Sequence, residues 1–227
     1  MRNPGRRIKN FHLVVFSFLC LVMAPAPAFS ETEGSGETWV KGAFEIPLAP
    51  QLKTILSLES HYDRDGLYFQ SREMTLFRSI SRTIDLELVG YRSVEKLDQK
   101  VWQGENDFFG GIIFNGRLGP FTLSNRNRFE FLTFCYDNPS YVRYRNKLTL
   151  SLPGKITPYL ADEFFYDIGD NHPGWNKNRV SLGLKGDIGQ EVNLDVYFMR
   201  QTDANYLDEG EPRPRFNITG GNLTIRF

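Results

Sequence analysis

Basic side chains recur at every second position in separate stretches of this chain: Arg126 and Arg128 ahead of Glu130, then Arg143, Arg145 and Lys147, then Arg179 with Lys185. Acidic ones follow the same spacing earlier, at Glu59, at Asp85 and Glu87, and at Glu105 and Asp107. A spacing of two places each set on one face of an extended strand. Charges held on one face of a closed sheet have two uses. They can pair into a salt-bridge network that fills the interior, or they can line a narrow channel, where rows of Arg and Lys favour anions. The first predicts a structural role with a largely closed lumen, the second an anion-favouring, porin-like passage for small solutes. In either case the basic and acidic walls are expected to face each other across the lumen.

Other chemistries find less support. Serine nucleophiles need a base, usually histidine. His61 follows Ser60 and precedes Tyr62 and Asp63, and His172 stands in GDNHPGW, but neither shows the close His-x-Ser pattern of barrel lipid hydrolases. A lipid hydrolase therefore ranks third, and no enzyme is expected. Asp167, Asp170 and His172 are too loosely spaced to argue a Ca²⁺ or Zn²⁺ site, so neither metal nor cofactor is expected. The acidic stretch TDANYLDEGEPRPR at 202–215 reads as a solvated loop.

The elements that must carry these charges are strands. Val192, Leu194, Val196 and Phe198 alternate with Asn193, Asp195, Tyr197 and Met199, and Val180, Leu182 and Leu184 alternate with Arg179, Ser181, Gly183 and Lys185. This period-two pattern predicts strands at 38–47, 52–62, 68–79, 82–94, 102–115, 120–135, 141–152, 156–167, 176–188, 191–202 and 216–227. Such lengths exceed those usual in soluble sheets and suit tilted membrane strands. Short turns at 49–51, 81, 118–119, 153–155 and 189–190 alternate with longer loops at 63–67, 95–101, 136–140, 168–175 and 203–215. Adjacent Asp162 and Glu163 predict a bulge, Gly110 and Gly111 a bend, and Asn125 and Asn127 fall on the nominal outer face.

The first thirty residues read as a separate device. Arg2, Arg6, Arg7 and Lys9 precede the apolar run FHLVVFSFLCLVM at 11–23 and the small-residue stretch APAPAFS at 24–30, an order that predicts a secretory signal peptide cut after Ser30. The run is too short for a membrane-spanning helix, and Phe18 and Leu19 ahead of Cys20 argue against lipid attachment there. The whole chain balances 27 basic against 27 acidic residues, which gives no electrostatic reason to expect nucleic acid. Removal of 1–30 leaves a mildly acidic domain at 31–227 with Cys135 as its one thiol, so no internal disulfide is expected.

The chain ends with Leu223, Ile225 and a terminal Phe227 on one face of an alternating strand. This resembles the C-terminal signal that the barrel-assembly machinery reads in bacterial outer-membrane barrels. A soluble lipocalin-like barrel would also alternate, with its apolar face turned inward. Long strands, the terminal Phe, and aromatics near strand ends (Trp39, Tyr62, Tyr68, Phe69, Trp102, Tyr136, Tyr141, Tyr166, Trp175) favour the membrane. Because single-chain bacterial barrels normally have an even strand number, the segment 38–47 is expected not to cross fully, giving ten strands, with twelve as the alternative.

Three segments together, YVRYRNKLTLSLP at 141–153, PYLADEFFYD at 158–167 and NKNRVSLGLKGDIGQEVNLDVYFMRQ at 176–201, resemble a family of outer-membrane proteins carried under the label domain of unknown function 2490. The resemblance covers nearly all of the chain after residue 30. It implies a Gram-negative outer-membrane barrel and brings no catalytic residues. The expectation is thus an all-β, antiparallel, transmembrane up-and-down β-barrel. It would be a monomer in contact with outer-membrane lipid and lipopolysaccharide.

Overall fold

An alternating strand leaves backbone groups unpaired at both edges, and closing the sheet on itself is the arrangement that removes both edges. The chain does this. The computed structural model describes residues 36–98, 101–134, 140–169, 174–203 and 215–227. They form β1 (Gly36–Ala49), β2 (Leu52–Asp63), β3 (Gly66–Ser79), β4 (Ile84–Asp98), β5 (Val101–Leu118), β6 (Phe121–Phe134), β7 (Tyr141–Ser151), β8 (Ile156–Ile168), β9 (Gly174–Ile188), β10 (Val192–Asp203) and β11 (Arg215–Arg226). Each strand pairs antiparallel with its sequence neighbour, and β1 closes the barrel against β11. The proposed signal peptide, Tyr136, Asp170 and His172 lie outside the described residues.

Eleven strands correct the expectation of ten or twelve. The segment 38–47 crosses fully within β1, and no further strand is needed. Up-and-down strands reverse direction at every step, so in a ring of eleven the first and last run the same way. The closing pair is accordingly parallel, in register from Gly36 opposite Asn217 to Glu45 opposite Arg226. The even-number rule assumes that closure is antiparallel, and this chain departs from it at that one seam.

The two faces are inverted relative to a soluble barrel. Leu56, Leu58, Phe129, Phe131, Leu182 and Phe198 lie exposed on the outside, whereas Ser57, Arg128, Glu130, Ser181 and Asp195 at intervening positions are buried within. The inward apolar core is small. Trp39, Met199 and Ile218 cluster beside the β1–β11 seam, with Tyr197 and Phe216 packed on them. Elsewhere the interior is filled by aromatic rings laid across glycines of the facing strand. Phe109 covers Gly90, Tyr159 covers Gly183 and Tyr197 covers Gly220, each pair directly opposite in register. A Cβ on Gly220 would sit 2.2 Å from the Tyr197 ring, so the ring position requires glycine there.

Several local expectations change. Asp162 and Glu163 need no bulge: the ladder runs through them, with Lys147 opposite Glu163 and Leu148 opposite Asp162. Glu163 turns inward, and Asp162 lies outside, where it accepts a hydrogen bond from Asn178 (2.6 Å). The β8 irregularity falls later, between Phe165 and Tyr166. The irregularity expected at Gly110–Gly111 belongs to the partner strand, since Leu88 and Val89 of β4 share the place opposite Gly110. The loop expected at 63–67 is a two-residue turn in which Asp65 N–H donates to Asp63 (2.8 Å) and Gly66 takes φ +116°. Asn125 and Asn127 do lie on the outer face. There Asn127 donates to Asn125 (2.6 Å), Asn146 donates to Asn127 (2.9 Å) and the Tyr144 hydroxyl donates to Asn127 (2.6 Å), so this amide row satisfies its own hydrogen bonds.

The aromatics divide between the faces. Trp102 and Tyr166 are exposed outside, but Trp39, Tyr68, Phe69 and Tyr141 turn inward onto charged partners, so a girdle made of all of them is not formed. At the C-terminus Leu223 and Ile225 are nearly covered and Phe227 is exposed, its ring against Phe44 with centroids 6.1 Å apart.

Candidate functional site

The barrel interior is the candidate site, and it begins with the inward charges of β3 to β9. Arg128 on β6 donates through Nε and Nη2 to both oxygens of Glu87 on β4 (2.9 and 2.8 Å) and lies over the Phe109 ring at 3.9 Å. Gly111, opposite Arg128, makes this possible, because a Cβ there would stand 2.8 Å from the Glu87 carboxylate. Arg128 also lies 3.8 Å from Glu73 and 3.7 Å from Glu130. Arg92 pairs with Asp107 and approaches Glu130 at 3.6 Å. Arg145 joins Glu130 (2.5 Å) to Glu163 (2.8 Å), and Glu163 accepts from Arg126 (2.8 Å) as well, with Arg179 at 3.9 Å. The result is one continuous network across seven strands, much of it fully buried. Arginine suits this role because its planar fork serves two carboxylates at once.

Removing such charges from water is costly unless each finds partners. Most do, yet Asp107 Oδ1, Glu130 Oε2 and Arg145 Nε are buried without a hydrogen bond, so the network is tight without being complete. Nearer the loop end, Arg143 donates to Asp167 (2.6 Å) and to the Tyr141 hydroxyl (2.6 Å), and Asn176 donates to the same Asp167 (2.6 Å).

The opposite wall is built differently. His61 is stacked between Trp39 and Phe69, with ring centroids 3.8 and 4.0 Å away, and its Nε2 meets Glu59 at 2.7 Å. Glu59 in turn pairs with Lys41 (3.4 Å). Glu37 accepts from Trp39 Nε1 (2.9 Å) and from the Tyr68 hydroxyl (2.5 Å), while Arg179 lies over the Trp39 ring at 4.7 Å and donates to Gln201 (2.7 Å). Between the two walls is a cavity of about 710 Å³. Its lining contains eleven Lys and Arg side chains against eight Asp and Glu, an excess of positive charge. Among the described residues, Lys147, Lys177 and Lys185 reach no carboxylate within ion-pair distance; Lys185 and Lys177 rest instead against the Tyr159 and Phe165 rings, at 4.5 and 5.8 Å.

All thirteen charges singled out in the sequence sit on the inward face, but in a different arrangement from facing walls. Glu59, Glu105, Arg126, Arg128, Glu130, Arg143, Arg145, Lys147, Arg179 and Lys185 line the cavity. Glu87 and Asp107 are buried beneath it, and Asp85 is held apart by Ser79 (2.6 Å) and Asn115 (2.9 Å). Acid and base are interleaved between neighbouring strands: Glu105 pairs with Lys96, Glu130 with Arg145 and Asp107 with Arg92. Facing walls would leave charges a barrel diameter apart, whereas adjacent strands bring them within hydrogen-bond reach.

Alternation alone gave Glu73, Arg92, Glu163 and Asp167 no place in the charge network, and it did not reveal the aromatic clamp on His61. Glu163 was recoverable, since assigning Asp162 outward puts Glu163 in phase with Phe165 and Asp167. The clamp had no local signal, because its rings come from three strands.

A family model described as "Protein of unknown function (DUF2490)" matches residues 36–207, from the start of β1 to beyond β10. No curated protein matches the chain.

Proposed function

From the premise that this chain belongs to the family of proteins of unknown function DUF2490, we propose that it is a non-enzymatic outer-membrane β-barrel, exported by a cleaved signal peptide, whose ion-paired interior makes it chiefly structural. The observation that carries this is the inversion of its faces. Exposed large apolar side chains lie on the outside of β1 to β10, while buried Arg–Glu pairs stand inside. In water that arrangement would waste the apolar area and bury the charges. Against lipid it satisfies both, because a closed barrel pairs all backbone groups and presents an apolar belt.

Further support comes from strands of 11 to 18 residues, long enough to cross a bilayer while tilted. The basic run and apolar segment before residue 30 support export, and Leu223, Ile225 and Phe227 would engage the barrel-assembly machinery. Lipid and lipopolysaccharide are the partners proposed for the outer face, and a monomer suffices for all of these features. The non-enzymatic reading is supported by His61, whose ring is held between Trp39 and Phe69 and whose Nε2 is engaged by Glu59.

A second reading, a narrow anion-favouring channel, is favoured by the positive excess of the cavity lining. Single-channel recording in planar bilayers separates the two. A heat-dependent gel shift verifies the folded barrel, and membrane fractionation verifies its address. Absence of conductance steps after verified insertion supports the structural role, and steps with anion preference that weaken in Arg143→Gln/Arg145→Gln support the channel. Recovery of a soluble periplasmic protein without heat-dependent mobility would remove both.

A further inference from the structure

The wall formed by β7, β8 and β9 toward the short-turn end offers donors without matching acceptors among the described residues. In the row Lys147, Glu163, Arg179, one carboxylate stands between two cations, and it already accepts from Arg126 and Arg145. Lys147 reaches no carboxylate within ion-pair distance; Glu163 opposite attracts it, while Arg126, Arg145 and Lys185 repel it. The next row is Thr149, Ala161 and Ser181. Strand spacing sets the two hydroxyl residues roughly 10 Å apart on the cavity wall, with the small Ala161 between them covered. Neither hydroxyl is hydrogen-bonded among the described residues, and both line the cavity.

Below this row Tyr159 lies across Gly183, its hydroxyl donating to Asp195 (3.0 Å), and Lys185 rests over its ring at 4.5 Å. Asp195 is also occupied by Asn222 (3.2 Å). The nearest acids are thus hydrogen-bonded elsewhere, whereas Lys147, Lys185, Thr149 and Ser181 line the cavity with no carboxylate partner of their own. Unpaired cations inside a barrel destabilise it, and a purely structural interior would have no use for them.

We propose that this stretch of the cavity wall binds the oxyanion of a small solute, a phosphate or carboxylate group, through Lys147 and Lys185 with Arg126, Thr149 and Ser181 completing the shell. The cavity has the volume usual for small-molecule sites. Lysine fits a site that must release its ligand, since it supplies a mobile point charge where arginine would lock a carboxylate of the network. This goes beyond the structural role and does not require the lumen to conduct, so a barrel without conductance steps can still bind.

The test is calorimetric titration of the refolded full chain in detergent micelles with inorganic phosphate and with acetate, against chloride at equal ionic strength. Folding of every sample is checked by its heat-dependent gel shift. Saturable binding of phosphate or acetate, with chloride not saturating, is expected. Lys147→Gln/Lys185→Gln should weaken it at least tenfold and raise the unfolding temperature in anion-free buffer, and Thr149→Val/Ser181→Ala should weaken it several-fold. Arg72→Gln, on the outer surface, should leave it unchanged. The proposal fails if the folded wild type binds neither phosphate nor acetate saturably, if both double variants bind as the wild type does, or if the lysine variant is less stable than the wild type.

Discussion

Arg145 and Lys147 stand two residues apart on β7 and face the same lumen, yet their fates are opposite. Arg145 is buried against Glu130 and Glu163 and stacked on Phe165 at 4.6 Å, while Lys147 has no carboxylate within ion-pair distance. Both were placed inward by the same alternation. What separates them is the height at which neighbouring strands set their acids. Glu130 and Glu163 converge on Arg145 from either side, and once they are engaged nothing remains for Lys147. One half of the lumen is therefore a strut and the other half a space, built from the same kind of residue.

The sharpest way to break this contrast is to remove an acid from the strut. Glu130 is fully buried and lies against Arg92, Arg128 and Arg145, so Glu130→Ala takes one shared carboxylate from three guanidiniums. A loss of about 3–5 kcal/mol is expected from urea unfolding in micelles. A loss below about 1 kcal/mol would mean that water or ions already screen the network, and the two halves would be alike.

A smaller loss is expected where packing, not charge, shapes the open half. In Gly183→Val the new side chain meets the Tyr159 ring, which a Cβ alone would approach to 2.6 Å, so the ring must leave Asp195 and release Lys185. Overpacking of this kind costs about 1–3 kcal/mol. The same variant should blunt phosphate titration, whereas Gly90→Val, which displaces Phe109 in the strut, should cost stability and leave titration unchanged.

How much of this was readable beforehand follows from what period-two alternation encodes. It assigns a face to each residue, so Arg128, Glu130, Arg145 and Lys147 were placed inward without a structure, and the eleven segments were located to within a few residues. It says nothing of height around the barrel, which depends on the stagger between strands. Hence the pairing of Arg128 with Glu87, 41 positions away, and the isolation of Lys147 were both invisible. Strand number failed for a related reason. Parity is a property of closure, and the parallel match of Val40 to Gly221 joins the two ends of the chain, where no local pattern reports it. Trp39 and Tyr141 misled because an aromatic near a strand end suits either a lipid interface or, as here, a charged partner inside.

The smallest effect should come from an ion pair outside the barrel, and it marks where the apolar belt stops. Arg72 on β3 donates to Glu95 on β4 at 3.2 Å, with both side chains well exposed on the outer face toward the loop end. Met74, two residues further from that end, is exposed and apolar. If lipid ends between these two positions, Arg72→Ala removes a hydrated surface pair and costs under about 1 kcal/mol in urea unfolding. Leu at position 72 would then add nothing. If the belt reaches higher, the pair lies against hydrocarbon, Arg72→Ala leaves Glu95 without its partner in lipid and the loss rises to about 1–3 kcal/mol, the cost of a desolvated polar group left unpaired. Moving the same substitution to the strut, as Arg145→Ala, should cost about 3–5 kcal/mol in either case, because Arg145 pairs with buried Glu130 and Glu163 inside the barrel, away from the outer face.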